Sequence, residues 1–415
     1  MSNANERFAN VSVLSAVLTG AAVSFVALAC AAAVWGLYLF VLSVAALFCS
    51  APRRLTPSAR LVALIPAHNE SMLIARCVGS LRAQSYPDDL YQIVVVADNC
   101  TDDTADIAAV AGAHRVLARD EPNTRGKGHA LRWAMDRLLA DGWADAIVVV
   151  DADSVADRDF LAALVQPLEA GARAVQGESL LYDDSSPGSA LRVLAFLLVN
   201  RVRPTGRAVL RLSATHLAGN GMLLARDLLL AKPWSAFTSA EDLEYSINLQ
   251  LARVKIAFAP GAVLLSPTAP DQRAAAQQQL RWEGGKMHLA RIWIPRLLVR
   301  AIGRRRPALL GLAFDLAMPP LGFLSAIAVT GAFISAGSAL AGLLPRLAVL
   351  PWVVSLIGIA LHVLVGMRAG HAPASSYRVL VRAPWYVVTK LMRARHVLTF
   401  SADTWVRTDR GSTVR

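Results

Sequence analysis

The longest uncharged stretch of the sequence runs from Phe8 to Pro52 and contains no Asp, Glu, Lys or Arg. A helix needs only about 20 apolar residues to cross a bilayer, so this stretch can hold one long tilted helix or two short ones. Two further uncharged runs, Leu316 to Pro345 and Leu347 to Met367, are separated by Arg346. With 55% apolar residues in a chain of 415, these runs predict an integral membrane protein with an N-terminal anchor and a transmembrane hairpin.

Basic residues lie beside the apolar runs on one predicted side of the membrane. Arg53 and Arg54 follow the first run, residues 304–306 precede the second and Arg368 follows the third, whereas the intervening loop holds only Arg346. Because short basic segments stay in the cytoplasm, the middle segment and the C-terminal tail are predicted to be cytoplasmic. The chain is therefore expected to be a multi-pass protein of a bacterial inner membrane, with the side of its N-terminus open.

The net charge of +12 raises the question of a nucleic-acid partner. The arginines cluster beside apolar segments, however, and no basic groove interleaved with aromatic residues is apparent. Anionic lipid headgroups explain the charge with fewer assumptions, so membrane lipids are expected as partners and nucleic acid is not. No C-x-x-C pair indicates a zinc site or a disulfide framework among the four cysteines.

The segment between the apolar runs alternates predicted strands with predicted helices. The strands are expected at 60–65, 92–97, 115–118 and 146–150, and the helices at 71–84, 101–111 and 126–139. The first helix carries its apolar side chains on one face: Ile74, Cys77, Val78 and Leu81. This order predicts an α/β domain with a mainly parallel sheet and helices on both faces.

Polar residues follow three of these strands. Asp151 and Asp153 come directly after the fourth strand, and alternate residues of a strand share a face, so both carboxylates can bind one divalent cation, Mg²⁺ or Mn²⁺. Asn69 and Glu70 follow the first strand, and Asp98 follows the second. Each group could instead cap a helix or form a turn. These residues are expected at the edge where parallel sheets bind ligands, which favours a ligand-binding site over separate caps and turns.

Five motifs in this order resemble the successive signatures of the membrane-bound branch of inverting family 2 glycosyltransferases, which includes cellulose, chitin and hyaluronan synthases. The motifs are LIPAHNE at 64–70, DNCTDDT at 98–104, DAD at 151–153, ED at 241–242 and QQLRW at 278–282. The resemblance implies a GT-A fold that binds a UDP-sugar donor, with Asp151 and Asp153 holding the metal against the diphosphate. The donor-binding residues that it implies are Pro66, Asn69, Glu70, Asp98, Lys127, Asp151, Gln278 and Trp282.

The acidic pair Glu241 and Asp242 is the predicted catalytic centre. Inverting transfer needs a base that deprotonates the acceptor hydroxyl, and a carboxylate within hydrogen-bond reach suits that role, so Asp242 is the expected base. The alternative is an acidic first turn that only stabilises the following helix. Arg281 is expected to stabilise the leaving UDP, and Gln278 to add a hydrogen bond.

Two further features concern the acceptor. Trp282 offers a flat apolar face to a sugar ring, although Arg281 and Trp282 would also suit an amphipathic helix at the membrane surface. Gly219, Asn220 and Gly221 resemble the acceptor-side turn of the family, where small residues allow a glycan to come close. Lys127 likewise has a second interpretation, as a solvated lysine at a helix start.

Two amphipathic segments, 191–202 and 286–299, are predicted to lie in the headgroup layer, although the first could pack on the sheet instead. The predicted organisation is an N-terminal transmembrane region (1–52), a cytoplasmic GT-A domain (53–285), an interfacial helix (286–307), a transmembrane hairpin (308–370) and an interfacial tail (371–415).

The leading functional hypothesis is an inverting transferase that adds a sugar from a UDP-sugar to a lipid-linked or polysaccharide acceptor, with an export or assembly partner possible. The QQLRW motif resembles processive synthases, yet those enzymes usually carry more membrane helices. A nucleotide-binding scaffold without catalysis is the alternative from another class. A transporter is disfavoured because the polar clusters lie outside the spans, where Asp315 is the only acid and sits near one end.

Overall fold

The computed structural model describes residues 2–50, 56–182, 189–213, 216–269, 271–385, 387, 388 and 392. Within these residues, eight strands form one sheet. They are β1 (Leu61–Ala67), β2 (Tyr91–Asp98), β3 (Arg115–Arg119), β4 (Ala146–Val149), β5 (Val155–Ala156), β6 (Ala174–Tyr182), β7 (Met222–Ala225) and β8 (Ile256–Pro267).

The helices of the sheet-bearing domain are α2 (Ile74–Arg82), α3 (Thr104–Val110), α4 (Lys127–Asp141), α5 (Phe160–Glu169), α6 (Ser189–Leu197), α7 (Arg203–Val209), α8 (Arg226–Ala231) and α9 (Glu241–Leu251). The N-terminal helix is α1 (Ser2–Ala46), and the C-terminal helices are α10 (Gln272–Gly303), α11 (Ala308–Ala317), α12 (Leu321–Leu340), α13 (Leu350–Ala369) and α14 (Ser375–Val379). The rest of the predicted interfacial tail, apart from isolated positions up to 392, lies outside the described residues.

The strand order in the sheet is β3-β2-β1-β4-β7-β6-β8-β5. The first four strands are parallel, as the sequence predicts. β7 runs antiparallel to both β4 and β6, and β5 runs antiparallel to β8, while β6 and β8 are parallel. The sheet is therefore mixed. The prediction of a mainly parallel sheet holds for β3, β2, β1 and β4 but not for the other four strands, which follow residue 150 and have no counterpart in the predicted strands.

Apolar layers cover both faces of the sheet. On α2, the predicted face of Ile74, Cys77, Val78 and Leu81 is fully buried in one layer together with Phe160 of α5. On the other face, Ala130 and Leu131 of α4 pack in a layer that includes Trp234. These two layers hold the carboxyl ends of β1, β2 and β4 at one edge of the sheet, where the polar loops begin.

Among the described residues, three helices are long and apolar enough to cross a membrane by length and composition: Thr19–Ala46, Leu321–Leu340 and Arg346–Ala369. The first apolar run forms one continuous helix, α1, rather than two short ones. It packs closely on α13, since a Cβ atom on Gly36 would lie 2.7 Å from the carbonyl oxygen of Ser355. Asp315, which the sequence placed at the end of a span, lies in the short helix α11, outside these three helices.

The predicted amphipathic segments also differ in detail from the sequence-based boundaries. Segment 286–299 is part of the continuous 32-residue helix α10, so the proposed domain boundary after residue 285 falls inside a helix. Segment 191–202 comprises most of α6 and a π-helical turn from Leu198 to Val202. Its buried side chains, including Leu198, share an apolar cluster with Ala46 of α1 and Met367 of α13, so this segment packs between the sheet-bearing domain and the apolar helices.

Candidate active site

The loops after β1 and β2 are joined by hydrogen bonds between side chains and backbone. The backbone N–H of Thr101 donates to Asn69 Oδ1 at 2.7 Å, and that of Glu70 donates to Thr104 Oγ1 at 2.8 Å. Asn69 has a φ of 55°, a left-handed conformation that asparagine tolerates better than most residues. Pro66, Asn69 and Glu70 are thereby brought to the same edge as the loop that starts at Asp98.

Asp98 forms a buried ion pair that the sequence did not reveal. Arg119 Nη1 lies 2.5 Å from Asp98 Oδ1, and the two side chains are only 2% and 9% exposed. The side chain of Asn99 also donates to this oxygen at 2.8 Å. Asp98 and Arg119 are register partners in the parallel pair of β2 and β3, so a strand prediction that extended one residue beyond 118 would have found the contact.

Lys127, the first residue of α4, connects the loop after β4 with the loop before β7. Its Nζ donates to Asp151 Oδ1 at 2.5 Å and to the carbonyl oxygen of Gly219 at 2.7 Å. The Lys127 side chain is 26% exposed and that of Asp151 is 37% exposed. The predicted donor lysine therefore lies beside the predicted metal-binding carboxylate, and it is not a solvated lysine at a helix start.

The turn from Gly219 to Gly221 is hydrogen-bonded to the end of β4 and to the backbone of Asp151. Both glycines have a φ of +70°, and the backbone N–H of Gly221 donates to the last residue of β4. Asn220 is 3% exposed, and its Oδ1 accepts from the backbone N–H of Asp151 at 3.0 Å. Its amide group donates to Ser154 Oγ at 2.9 Å. The side chain of Asn220 thus holds the loop that contains Asp151 and Ser154.

Asp242 lies in the first turn of α9, and its carboxylate lies beside Gly219 and Lys127. A Cβ atom on Gly219 would lie 3.2 Å from Asp242 Oδ2 and 3.4 Å from Lys127 Nζ, so the three residues meet at one point. The other carboxylate oxygen of Asp242 accepts from the backbone N–H of Leu243 at 2.7 Å. Asp151, Lys127 and Asp242 are therefore contiguous, although they are far apart in the sequence.

Burial and like charges control the protonation of this cluster. Burial, together with the Asp242 carboxylate, raises the pKa of Glu241 to about 7, and the opposing effect of Lys127 is smaller. Burial also raises the pKa of Asp242, against the attraction of Lys127. The pKa of Lys127 is raised despite its burial, because Asp151, Glu241 and Asp242 are close. A carboxylate pair with raised pKa values is suited to accept a proton near neutral pH.

Helix α10 contains the predicted residues Gln278, Arg281 and Trp282. A Cβ atom on Gly285 would lie 3.0 Å from Ala240 Cβ, so α10 touches the loop directly before Glu241. The three predicted residues lie within the two preceding turns of α10. Trp282 is 40% exposed, and its ring centroid lies 5.4 Å from that of Phe196 on α6.

The carboxylates suit a metal that is shared with a ligand. Among the described residues, no group of three or more His, Cys, Asp or Glu side chains is placed to hold a metal ion. Asp151 and Asp153 supply carboxylates that Mg²⁺ or Mn²⁺ favours, but such ions need about six ligands, which waters and phosphate oxygens commonly complete. The donor set therefore fits a cation bound together with a diphosphate, and Lys127 already occupies one oxygen of Asp151.

Known proteins resemble this chain in sequence and in fold. A beta-monoglucosyldiacylglycerol synthase of Synechocystis sp. is 27% identical over 255 residues, which cover 57% of this chain and 50% of that protein. The low-salt glycan biosynthesis hexosyltransferase Agl6 of Haloferax volcanii is 33% identical over 143 residues, which cover 34% of this chain and 32% of that protein. The chain thus spans half or less of the length of these two relatives.

Among solved structures, the mannosyltransferase PcManGT from Pyrobaculum calidifontis, in complex with GDP-Man and Mn²⁺, superposes with a TM-score of 0.51. It is 20% identical, and the match covers 84% of this chain and 98% of that chain. This likeness establishes a GT-A-like fold. The model of the glycosyltransferase-like family 2 matches residues 57–285, which is more than half of the chain and includes every predicted site residue. The chain belongs to glycosyltransferase family 2.

Proposed function

We propose that this protein is a membrane-bound inverting glycosyltransferase that moves a hexose from a UDP-sugar to a lipid or lipid-linked glycan at the cytoplasmic face of a bacterial inner membrane. The observation that carries the proposal is the contiguous cluster of Asp151, Lys127 and Asp242 at the carboxyl edge of the sheet. It combines a carboxylate suited to a metal-bound diphosphate, a cation suited to the same phosphates and a carboxylate suited to act as a base.

In the proposed reaction, Asp242 removes the proton from the acceptor hydroxyl as that oxygen attacks the sugar from the face opposite the leaving nucleotide. Its carboxylate is held by the backbone N–H of Leu243, which fixes its orientation. Burial raises the pKa of Asp242, and repulsion from the Asp151 carboxylate adds to the rise. Asp242 is therefore a stronger base than an exposed aspartate would be.

On the donor side, charge accumulates on the nucleotide as the bond to the sugar breaks. Lys127 lies between Asp151 and Asp242, so it can contact the diphosphate from the protein side. A divalent cation held by Asp151 and Asp153 would, when bound, neutralise part of the same charge. Arg281 is proposed to add a guanidinium from α10. Asp98, kept in place by Arg119, is proposed to contact the nucleobase.

Two observations support a membrane-associated acceptor. Helix α10 passes the catalytic loop at Gly285 and continues for about five more turns toward α11 and the candidate spans α12 and α13. The Synechocystis relative is named as a synthase of a glycosylated diacylglycerol.

Release of free nucleotide by the purified, detergent-solubilised protein tests the proposal. The donors are a panel of UDP-sugars with GDP-sugars as comparison, in membrane lipid extract with Mg²⁺ or Mn²⁺ and with a chelator as control. We expect metal-dependent release from one UDP-sugar. Asp242→Asn should lower turnover by about 10²-fold or more, whereas donor affinity stays within about twofold.

Asp136→Asn is the matched control, because Asp136 is an exposed carboxylate that pairs with Arg132 within α4. It should leave turnover unchanged. Turnover that survives in Asp242→Asn would exclude this residue as the base. Nucleotide binding without release from any donor, under all acceptor conditions, would favour the non-catalytic scaffold.

A further inference from the structure

A group of basic side chains lies where the glycosyltransferase domain meets the apolar helices. Arg203 and Arg207 are one turn apart on α7, and Lys286 lies on α10. Arg207 Nη1 lies 2.7 Å from Asp315 Oδ2 of α11, and Arg207 also donates to the hydroxyl of Tyr38 on α1. The name junction cluster is used for six residues: Tyr38, Arg203, Arg207, His216, Lys286 and Asp315.

The acids of the junction cluster do not balance its cations. Both carboxylate oxygens of Asp315 are engaged, one by Arg207 and the other by the Tyr38 hydroxyl at 3.0 Å. The Nε atom of Arg203 is buried and has no hydrogen-bond partner among the described residues. Lys286 makes one hydrogen bond, at 2.7 Å to the carbonyl oxygen of Met318, although an ammonium group has three N–H donors.

The neighbouring charges leave an excess of positive charge. The charged and titratable groups in or next to the cluster, in the part of the chain that the structure describes, are Tyr38, Arg203, Arg207, His216, Glu283, Lys286, Asp315 and His362. Burial, followed by repulsion from Lys286, lowers the pKa of His216 to about 3, so this imidazole is neutral. Three cations therefore face two carboxylates. Burial and repulsion from Arg203 lower the pKa of Lys286 to about 8, which indicates that a further anion would be stabilising there.

The junction cluster is close to the proposed base. Lys286 directly follows Gly285, and a Cβ atom on Gly285 would lie 3.0 Å from the Cβ of Ala240. Ala240 lies two residues before Asp242. His216 directly precedes Leu217, whose backbone N–H donates to Ser246 Oγ of α9 at 2.7 Å. The cluster therefore lies between the start of α9 and the candidate span α1, beside the loop that precedes Asp242.

We propose that the junction cluster binds the phosphate group of an anionic lipid and so positions a lipid at the acceptor side of the site. Guanidinium and ammonium groups are the usual partners of phosphate in proteins, and Arg203 and Lys286 have N–H donors left for it. The inference rests on the proposed function. The phosphate is carried either by the acceptor itself, as a monoester, or by a bulk phospholipid, as a diester.

Native mass spectrometry of the full chain released from detergent micelles measures this binding without any sugar donor. The probes are dioctanoyl phosphatidic acid, dioctanoyl phosphatidylglycerol and dioctanoyl glycerol, which share their acyl chains and differ in the phosphate. We expect phosphatidic acid to be retained at least about tenfold more tightly than dioctanoyl glycerol, the ratio expected for one charged hydrogen bond. Retention of phosphatidylglycerol at the same level would identify a bulk phospholipid site, and weaker retention would identify a monoester acceptor site.

Variants assign the binding to the cluster. Arg203→Gln and Lys286→Gln should each weaken phosphatidic acid retention by about tenfold, while Arg296→Gln, an exposed arginine on α10, should change it by less than about twofold. Equal retention of phosphatidic acid and dioctanoyl glycerol by the unmodified chain would overturn the inference. So would equal losses in Arg296→Gln and in the two cluster variants.

Two variants are used because one could impair folding, which thermal unfolding in detergent reports. If Arg203→Gln unfolds, Lys286→Gln and the lipid comparison on the unmodified chain decide the outcome. Asp242→Asn should retain phosphatidic acid normally. Absence of sugar transfer by the unmodified chain, with normal lipid retention, would count against the proposed function alone. Transfer by the unmodified chain without selective lipid retention would count against the lipid-phosphate site alone.

Discussion

Replacing Glu241 with glutamine should stabilise the folded protein in a pH-dependent manner. Glu241 is held among Asp242, Asp151 and Lys127, and its pKa is raised from 4.5 to about 7, mainly by burial and then by repulsion from Asp242. A carboxyl group whose pKa is higher in the folded state than in the unfolded state opposes folding once it must lose its proton. Glutamine has nearly the same shape and never ionises, so Glu241→Gln removes this unfavourable contribution.

The size of the effect follows from the two pKa values. Below pH 4.5 the carboxyl group is protonated in both states, so Glu241→Gln has little effect on the free energy of unfolding. Between pH 4.5 and about 7 only the unfolded state loses the proton, and the folded wild-type protein is progressively destabilised. Above pH 7 the difference reaches about 3 kcal/mol, at 1.36 kcal/mol for each pKa unit. For a domain of this size, the Tm should rise by roughly 6 to 12 °C.

Thermal unfolding of the detergent-solubilised protein, followed by intrinsic fluorescence from pH 4 to pH 8.5, measures this difference. The control is Asp136→Asn, which removes an exposed carboxylate of an i,i+4 pair and should change stability by at most about 0.5 kcal/mol, without the same rise over this range. A stabilisation by Glu241→Gln that stays constant with pH would refute the reasoning. A lower Tm than wild type at pH 8 would refute it too, because it would mean that ionised Glu241 is favourable.

Two further substitutions test the donor side of the site. Arg119→Gln should lower the free energy of unfolding by about 3 to 5 kcal/mol, because it leaves Asp98 buried without its ion-pair partner. The control Arg115→Gln breaks only an exposed ion pair and should lower it by at most about 1 kcal/mol. Chemical denaturation of the two variants measures both values. Lys127→Met should weaken UDP binding by about tenfold or more in calorimetry, with the exposed Arg125→Gln as control; equal affinity in both variants would exclude a phosphate contact by Lys127.

The first half of the sheet could be predicted because its signals are local. β1, β2 and β4 are short apolar runs that end in polar residues, and the parallel pairing of such strands brings Asn69, Asp98 and Asp151 to one edge. The second half carries weaker signals. β6 contains Gly177, and β8 contains Gly261 with a φ of 86°, so neither shows an unbroken apolar or alternating pattern. Their pairing also includes an irregularity between residues 176 and 178, which a sequence pattern does not encode.

Contacts between distant parts of the chain were the least predictable. Asp315 follows apolar residues and therefore resembles an acid at the end of a span, but its partner Arg207 is 108 residues earlier in the sequence. Only the packing of α7, α1 and α11 brings the two together. The contact between Arg119 and Asp98 is different, because it follows from strand register and could have been inferred from a longer prediction of β3.

The surroundings of Glu241 and Asp242 bear on whether this pair is catalytic or only stabilises the first turn of α9. Acids that merely stabilise the first turn of a helix benefit from its dipole, which favours the ionised form and lowers the pKa. Both residues lie in the first turn of α9, yet their pKa values are raised in spite of the dipole and of Lys127. Burial is the main cause for both; repulsion from Asp242 adds to it for Glu241, and repulsion from Asp151 adds to it for Asp242. Glu244 in the same turn already accepts from the backbone N–H groups of Phe237 and Thr238, as a structural acid would. Since one acid is enough for the helix start, two further acids that oppose folding near neutral pH support the proposed catalytic role of Glu241 and Asp242.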